Sequence, residues 1–337
     1  MASIHTVRLM PEGRRIDAPE DLPVLAAAHR AGLALPYSCR AGRCGSCRAR
    51  LLEGRIEYAA GAPPGLSEPE RAQGYVLLCQ AFARSDLVLE ARPVQRAPAV
   101  EIRTVTARLA RRVRLSPDVM QLMLRVPATE SLEFLPGQHL DVLLEGGARR
   151  SYSVANAAQA GSHLELHVGY IEGGAFSEAV FGSLKEGAPL RIEGPLGCFL
   201  HQGGAGPQLF IAGGTGFAPI KAMLTQELAG QSSSPVHLYW GARESAGLYE
   251  PALLRDWAAR HARLSIHTVL SATAPGAGRR TGLVHQAVLE DHPDLTAFSI
   301  YAAGPPGLID AIRSDFPARG ADPERVFVDA FDSAAPP

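Results

Sequence analysis

Cys39-Arg40-Ala41-Gly42-Arg43-Cys44-Gly45-Ser46-Cys47, followed by Cys79 after 31 intervening residues, is the stretch on which the reading of this chain turns. The spacing C-x4-C-x2-C with one distant cysteine fits thiolate ligation of a plant-type [2Fe–2S] cluster. Such a cluster carries one electron and performs no organic chemistry, so the other residues are expected to supply electrons, accept them, or both. Small residues let the loop wrap closely around an inorganic core, and Gly42 and Gly45 can turn left-handed without a Cβ penalty. Backbone N–H groups are then expected to point at the sulfurs. The alternative is a zinc knuckle, but structural zinc favours paired short C-x2–4-C hooks, and a lone distant cysteine fits that poorly. Cys198, the fifth cysteine, has no partner in this pattern and reads as an ordinary small side chain.

A chain of 337 residues is expected to form two or three domains, and an apolar content of 46% is enough to give each a core. The net charge of −1 gives no support for binding nucleic acid or an anionic membrane. The amino terminus, Met1-Ala2-Ser3-Ile4-His5-Thr6-Val7, lacks the apolar segment of a signal peptide, and no apolar run reaches ~18 residues. Five cysteines in a metal-type spacing without such a signal point to a reducing, cytoplasmic setting. Only Lys185 and Lys221 of the 33 basic residues are lysine, a bias that reflects genome composition more than function.

Along the chain, strands are expected near 4–9, 14–17, 47–53, 76–79 and 86–90, with a helix near 22–31. The proline-rich stretch 91–98 reads as a linker. From 102 to 198 short apolar–polar alternations such as Leu164-Glu165-Leu166-His167-Val168, separated by Gly and Pro, predict an antiparallel β-barrel. The break at 201–207 precedes a change of rhythm. Apolar strands at 208–212, 236–240, 264–270 and 298–303 then alternate with helical patterns, which predicts a parallel α/β sheet.

In the barrel, Arg150-Ser151-Tyr152-Ser153 puts alternate side chains on one strand face. A guanidinium can grip a pyrophosphate, a phenol can pack an isoalloxazine ring, and a hydroxyl can bond near its N5. Alone, the pattern is equally that of an amphipathic strand. Gly173-Gly174-Ala175-Phe176-Ser177 opens a short helix near 176–184, a seat for pyrophosphate or simply a loop that Ser177 caps. In the last third, Leu209-Phe210-Ile211-Ala212 runs into Gly213-Gly214-Thr215-Gly216-Phe217-Ala218-Pro219 and a helix to about 229. A glycine-rich strand-to-helix turn suits a dinucleotide phosphate, although it could be purely structural, and it is neither a P-loop nor G-x-G-x-x-G. Tyr239 and Trp240 read as strand packing.

Taken together, these motifs resemble, in order and over nearly the whole chain, the ferredoxin–NAD(P)H reductase superfamily. They are most similar to its three-domain reductases with a plant-type ferredoxin in front. The resemblance implies a β-grasp ferredoxin over 1–92, an antiparallel β-barrel FAD domain over 102–200 and a parallel α/β nicotinamide domain over 207–337, a multidomain α+β and α/β architecture. It implies Cys39, Cys44, Cys47 and Cys79 on the cluster, and Arg150, Tyr152 and Ser153 on the flavin with Gly174 and Ser177 at its pyrophosphate. It places Gly213, Gly214, Thr215, Gly216 and Pro219 at the nicotinamide coenzyme, Arg243 and Tyr249 near its adenosine ribose, and Gly304 and Pro305 beneath the nicotinamide. Phe331 matches the terminal aromatic that covers the flavin, and is otherwise a strand-end core residue. Ala303 replaces a frequent cysteine, and Gly169 and Glu172 stand where relatives usually have a basic residue and a proline, leaving Arg150 as the cation for the flavin phosphates.

The implied activity is electron transfer from NADH, with NADPH the other coenzyme, through FAD and the cluster to a protein acceptor. Family members serve ring-hydroxylating dioxygenases and other oxygenases, or the dehydratase of deoxysugar synthesis as CDP-6-deoxy-glucoseen reductases. Glu244 directly after Arg243 would repel a 2′-phosphate, which favours NADH. Arg40, Arg43, Arg48 and Arg50 around the cysteine loop would make a basic collar for an acidic partner, or else a solvated surface.

Overall fold

A computed structural model describes residues 3–33, 35–91, 101–130, 132–157, 163–204, 206–272 and 280–331. The greater part of the linker expected at 91–98 lies outside the described residues. The chain forms two compact units, one around the amino-terminal sheet and one containing the barrel and the α/β sheet.

In the amino-terminal unit, Ile4–Met10 pairs antiparallel with Arg14–Pro19 and parallel with Leu87–Glu90. Arg48–Glu53 and Tyr75–Leu77 complete five strands. Period-two alternation turns Val7, Leu9, Ile16, Ala18, Leu87 and Leu89 inward. There they meet Val24, Leu25, Ala27 and Ala28, the buried face of the helix Val24–Arg30. A sheet clasping one helix is the expected β-grasp. The helix is shorter than the expected 22–31 because Pro23 precedes it in an extended conformation and Ala31-Gly32 ends it. The expected strand 76–79 stops at Leu77, which frees Cys79 for the loop beyond.

The second unit begins with a six-stranded antiparallel sheet in the order Arg149–Ser153, His139–Leu143, Pro189–Leu196, Arg103–Ser116, Val119–Arg125, His163–Gly169. A bridge between Val154 and Leu166 joins its two edges and closes it into a barrel. Register shifts at 109–111 and 114–116 let the 14-residue strand Arg103–Ser116 curve around it. Val105, Ala107, Leu109, Leu122, Leu124, Leu140, Leu166 and Ile192 fill the interior.

The α/β part is a six-stranded all-parallel sheet in the order Arg280–Thr281, Leu264–Leu270, Val236–Ala242, Gln208–Gly213, Ser299–Gly304, Val326–Ala330. From the central strand Gln208–Gly213 the chain winds outward on one side, then returns to build the other. The topological switch point therefore lies at its carboxyl end, where such sheets hold ligands. Among the described residues no helix is long and apolar enough to cross a membrane.

Candidate functional site

Around the cysteine loop, Cys44, Cys47 and Cys79 are buried, Cys39 is half-buried, and none forms a disulfide. Arg40 and Gly42 both take positive φ, at 54° and 70°. A Cβ on Gly42 would sit 2.7 Å from the Pro63 Cβ and 2.9 Å from the Gln80 Cγ, so only glycine lets the loop lie this close. The amides of Ala41 and Cys44 point at Cys39 Sγ, 3.4 and 3.3 Å away, those of Gly42 and Ser46 at Cys79 and Cys44.

The sulfurs meet as two pairs, Cys39 with Cys44 and Cys47 with Cys79. Among the described residues no three of them lie mutually within 4.8 Å. One tetrahedral zinc needs four sulfurs about 3.8 Å apart around a point, as follows from a Zn–S bond of about 2.3 Å. Two pairs suit two irons. The hydrogen bond with Cys44, then the loop amides, hold the Cys39 thiol down at about 6 against burial. The partner bond and burial push Cys44 and Cys47 up, whereas the bond from Cys47 holds Cys79 down. Ser46 Oγ is buried beside Cys44, so the loop turns both a hydroxyl and an amide of this residue toward that sulfur. These residues fit a [2Fe–2S] centre. Cys198 is a half-buried thiol without a disulfide that packs against the amino-terminal core, its Sγ 3.5 Å from Leu35 O.

On the barrel, Tyr152 packs against Phe176 with ring centroids 5.4 Å apart, and burial pushes its phenol up to about 12. Arg150 is half-buried and donates to the Arg149 carbonyl at 2.8 Å. Ser153 is buried at the strand end. The first-turn amides of the helix Ala175–Phe181 have no partner within that helix. This face offers a ring surface, a cation and amides, the donor set FAD requires. Ser177, expected at the pyrophosphate, instead donates to Ile171 O or Gly174 O (2.9 and 3.0 Å) and accepts from Ile171 N. Its hydroxyl shapes the loop around Gly174, and the Gly173 amide is taken by Glu178.

At the switch point, Gln208–Gly213 turns through Gly214–Gly216 into the helix Phe217–Ala229. A Cβ on Gly216 would run into the Ala303 carbonyl, and one on Gly213 would sit 2.8 Å from Pro305 Cδ. The glycines thus let two neighbouring strand ends touch. Gly213, Gly214 and Thr215 stay partly exposed, Pro305 is exposed, and Pro219 is buried in the helix's first turn. The Phe331 amide donates to Gly304 O at 2.8 Å, which brings that aromatic to the same strand ends. Arg243 is exposed just beyond Val236–Ala242. Tyr249, expected near the ribose, is turned inward instead. Its ring is buried against Trp240 and Phe217 and its hydroxyl lies 3.0 Å from His167 Nδ1, so it has no free face for a coenzyme.

Two features escaped the sequence reading. Trp240 stacks on Phe217 at 3.8 Å and donates from Nε1 to Gly214 O at 3.0 Å, holding the nicotinamide turn from below. Glu165, His167, Lys221 and Glu250 form a buried charged cluster between the barrel and the α/β sheet. Nothing in the local sequence signals either, because each depends on contacts far apart in the chain.

Family models match in the same order: "2Fe-2S iron-sulfur cluster binding domain" at residues 7–84, "Oxidoreductase FAD-binding domain" at 106–201 and "Oxidoreductase NAD-binding domain" at 210–314. The chain is 36% identical to the CDP-6-deoxy-L-threo-D-glycero-4-hexulose-3-dehydrase reductase of Yersinia pestis, covering 96% of this chain and 98% of that protein. It is 32% identical to the reductase component of the naphthalene 1,2-dioxygenase system of Pseudomonas putida, over 96% and 97% of the two chains. The crystal structure of an Amycolatopsis cytochrome P450 reductase superposes with a TM-score of 0.78 at 32% identity, covering 98% of this chain and all of that one.

Two outcomes are expected. Cys79→Ala should reduce iron from about two per chain and remove the paramagnetic signal of the reduced protein, while NADH-driven dye reduction persists. Stoichiometric zinc in place of iron in the wild type would refute the assignment. Gly216→Ala should destabilise the chain by at least ~1–3 kcal/mol, the usual cost of overpacking, and raise KM for NADH. A variant with unchanged Tm and KM would show that the strand ends can part freely.

Proposed function

The chain belongs to the ferredoxin–NAD(P)H reductase superfamily, in its three-domain form with the iron–sulfur domain in front, and on that premise we propose that it draws electrons from NADH for a protein partner. The working domain division is 1–92, 102–200 and 207–337. The observation that carries the reading is the convergence of Gly213–Gly216, Gly304 and Phe331 at the switch point. When bound, the flavin supplies conversion of a two-electron hydride donor into single electrons, for which the cluster is the one-electron outlet.

The chain's own residues bind and orient. Gly213, Gly214 and Thr215 present backbone to the coenzyme at the start of a helix, where amides and dipole favour a phosphate. Tyr152 offers a ring face and Ser153 a hydroxyl to the flavin, Arg150 offers charge to its phosphates, and Phe331 covers the ring until nicotinamide replaces it. Gly174 and Ser177 set the loop that receives the pyrophosphate. Cys39, Cys44, Cys47 and Cys79 hold the cluster.

Partner choice is led by the oxygenase components named for several relatives. A deoxysugar dehydratase is the second reading, favoured by the 36% identity to a hexulose-dehydrase reductase. Adding purified candidate components and measuring coupled NADH consumption distinguishes them. A wild-type protein that fails to oxidise NADH with every dye and partner tested would sink both.

Coenzyme preference rests on Arg243 and Glu244, both exposed at the end of Val236–Ala242. The carboxylate beside the guanidinium disfavours a 2′-phosphate, so kcat/KM for NADH should exceed that for NADPH by about tenfold or more. A ratio favouring NADPH would show that Arg243 dominates.

The collar around the cluster loop is reduced by the fold. Arg48 is ion-paired with Glu70, and Arg40 stacks over Tyr37 at 4.8 Å, while Arg43 and Arg50 remain exposed. Arg43→Glu and Arg50→Glu should each slow partner-coupled turnover severalfold at low salt and less at ~0.1 M, where screening sets in over ~10 Å. Dye reduction should be unchanged. Coupled turnover indifferent to both charge reversal and salt would remove the collar from docking.

A further inference from the structure

The strand His163–Gly169 faces two ways. Leu164, Leu166 and Val168 point into the barrel core, while Glu165 and His167 point oppositely, onto the helix Phe217–Ala229 and the segment 249–250. One oxygen of Glu165 accepts from Lys221 Nζ at 2.6 Å, His167 Nε2 at 2.8 Å and Gln121 Nε2 at 2.6 Å. Lys221 also reaches Glu250 at 3.3 Å. His167 Nε2 lies against the carboxylate and its Nδ1 lies 3.0 Å from Tyr249 Oη, an arrangement that suits a neutral imidazole donating to Glu165 and accepting from the phenol, and burial favours that neutral form. Glu165, His167 and Glu250 could by themselves hold a cation. Here the Lys221 ammonium takes that place.

The cluster stands between the two cofactor turns. Phe217–Ala229 begins directly at the nicotinamide turn, and Lys221 sits on its second turn. His163–Gly169 leads directly toward the flavin loop at Gly173-Gly174, and its last residue, Gly169, lies beside Thr215. A Cβ there would be 3.5 Å from the Thr215 methyl. The lysine is thus clamped to the strand that carries one turn and built into the helix that carries the other.

We propose that Lys221 is a positioning residue, whose ammonium, clamped by Glu165 and Glu250, fixes the setting of the nicotinamide turn against the barrel strand and so the approach of nicotinamide to the flavin. This rests on the reductase reading above. Burial by itself pushes the Glu165 carboxyl up, but the bond from His167 and the Lys221 charge outweigh it and hold the carboxyl at about 2, so the clamp stays charged at neutral pH. Burial, with Lys221 adding to it, keeps His167 below its usual range against the opposing pull of Glu165 and Glu250. Tyr249 is pushed up by burial and by the charges of Glu250, Glu165 and Asp118, so it remains a phenol.

Lys221→Met keeps the length of the side chain and removes the charge. In the flavin- and iron-loaded protein, kcat for NADH-driven dye reduction should fall about tenfold to hundredfold, the scale of a misplacement near 1 Å. KM should move much less. The variant should also gain an acid limb in its rate profile, since His167 loses a cation that keeps it neutral while Glu165 and Glu250 still favour its protonation. Hydrogen–deuterium exchange, measured without coenzyme or partner, should quicken in 163–169 and 217–229.

The double variant Glu165→Gln/Lys221→Met leaves no unpaired charge at that pair, so its exchange should return toward wild type and its kcat should exceed that of Lys221→Met. Wild-type kcat and exchange in Lys221→Met, or a double variant no better than the single, overturns the proposal. If Lys221→Met does not accumulate folded, the double variant decides: slow exchange at both segments supports the clamp, and failure to fold overturns it. Exchange does not depend on the reductase reading, so a wild type inactive with NADH would refute that reading and leave this test intact.

Discussion

The approach of two strand ends, Gln208–Gly213 and Ser299–Gly304, is the steric condition on which the coenzyme crevice depends. A side chain at Gly216 would meet the Ala303 carbonyl, and one at Gly213 would meet Pro305. With no Cβ at either place, the helix Phe217–Ala229 can start directly beside the neighbouring strand end. Trp240 completes the arrangement from below, because its indole holds the Gly214 carbonyl while its ring supports Phe217. The turn is therefore fixed on both sides by groups whose own positions are set by a sheet buried on both faces.

The two units handle sulfur and charge by different means. The cysteine loop holds thiols in an environment of backbone amides, where N–H groups stabilise thiolate without introducing a counter-ion. The barrel and the α/β sheet instead meet across a buried ionic cluster in which one lysine answers two carboxylates. A buried charge pair adds little net stability over an apolar pair but fixes geometry strongly, because any displacement leaves a desolvated charge unpaired. That asymmetry suits a place where two cofactor turns must hold a constant spacing.

The cluster loop, the barrel and the parallel sheet could be read from the sequence because each has a local signature: cysteine spacing, period-two alternation, and a strand–glycine–helix junction. Phe331 lies just past the strand Val326–Ala330. Elements without a period were missed, such as the two-residue strand Arg280–Thr281 and the pairing of Ile56–Tyr58 with Ala81–Ala83. Tyr249 was misplaced because sequence gives its proximity to Arg243 but not which way the ring turns; a hydrogen-bond partner 82 positions earlier decides that. Ser177 does not cap its helix, which begins after Gly174 without a side-chain cap; its hydroxyl closes onto the carbonyls three and six residues before it.

Partner identity is written in a different part of the molecule from the electron-transfer chemistry. Most groups proposed to orient a cofactor are constrained by folding: buried, hydrogen-bonded, or packed against a neighbouring strand end. Arg43 and Arg50 are exposed at the surface of the amino-terminal unit, while Arg48 is ion-paired with Glu70 and Arg40 stacks over Tyr37. Similarity across nearly the full length therefore extends to relatives that serve an oxygenase and to one that serves a sugar dehydrase, because the internal constraints are common to both. Exposed charge around the cysteine loop is a place where complementarity can steer encounter and carry specificity at little cost to stability.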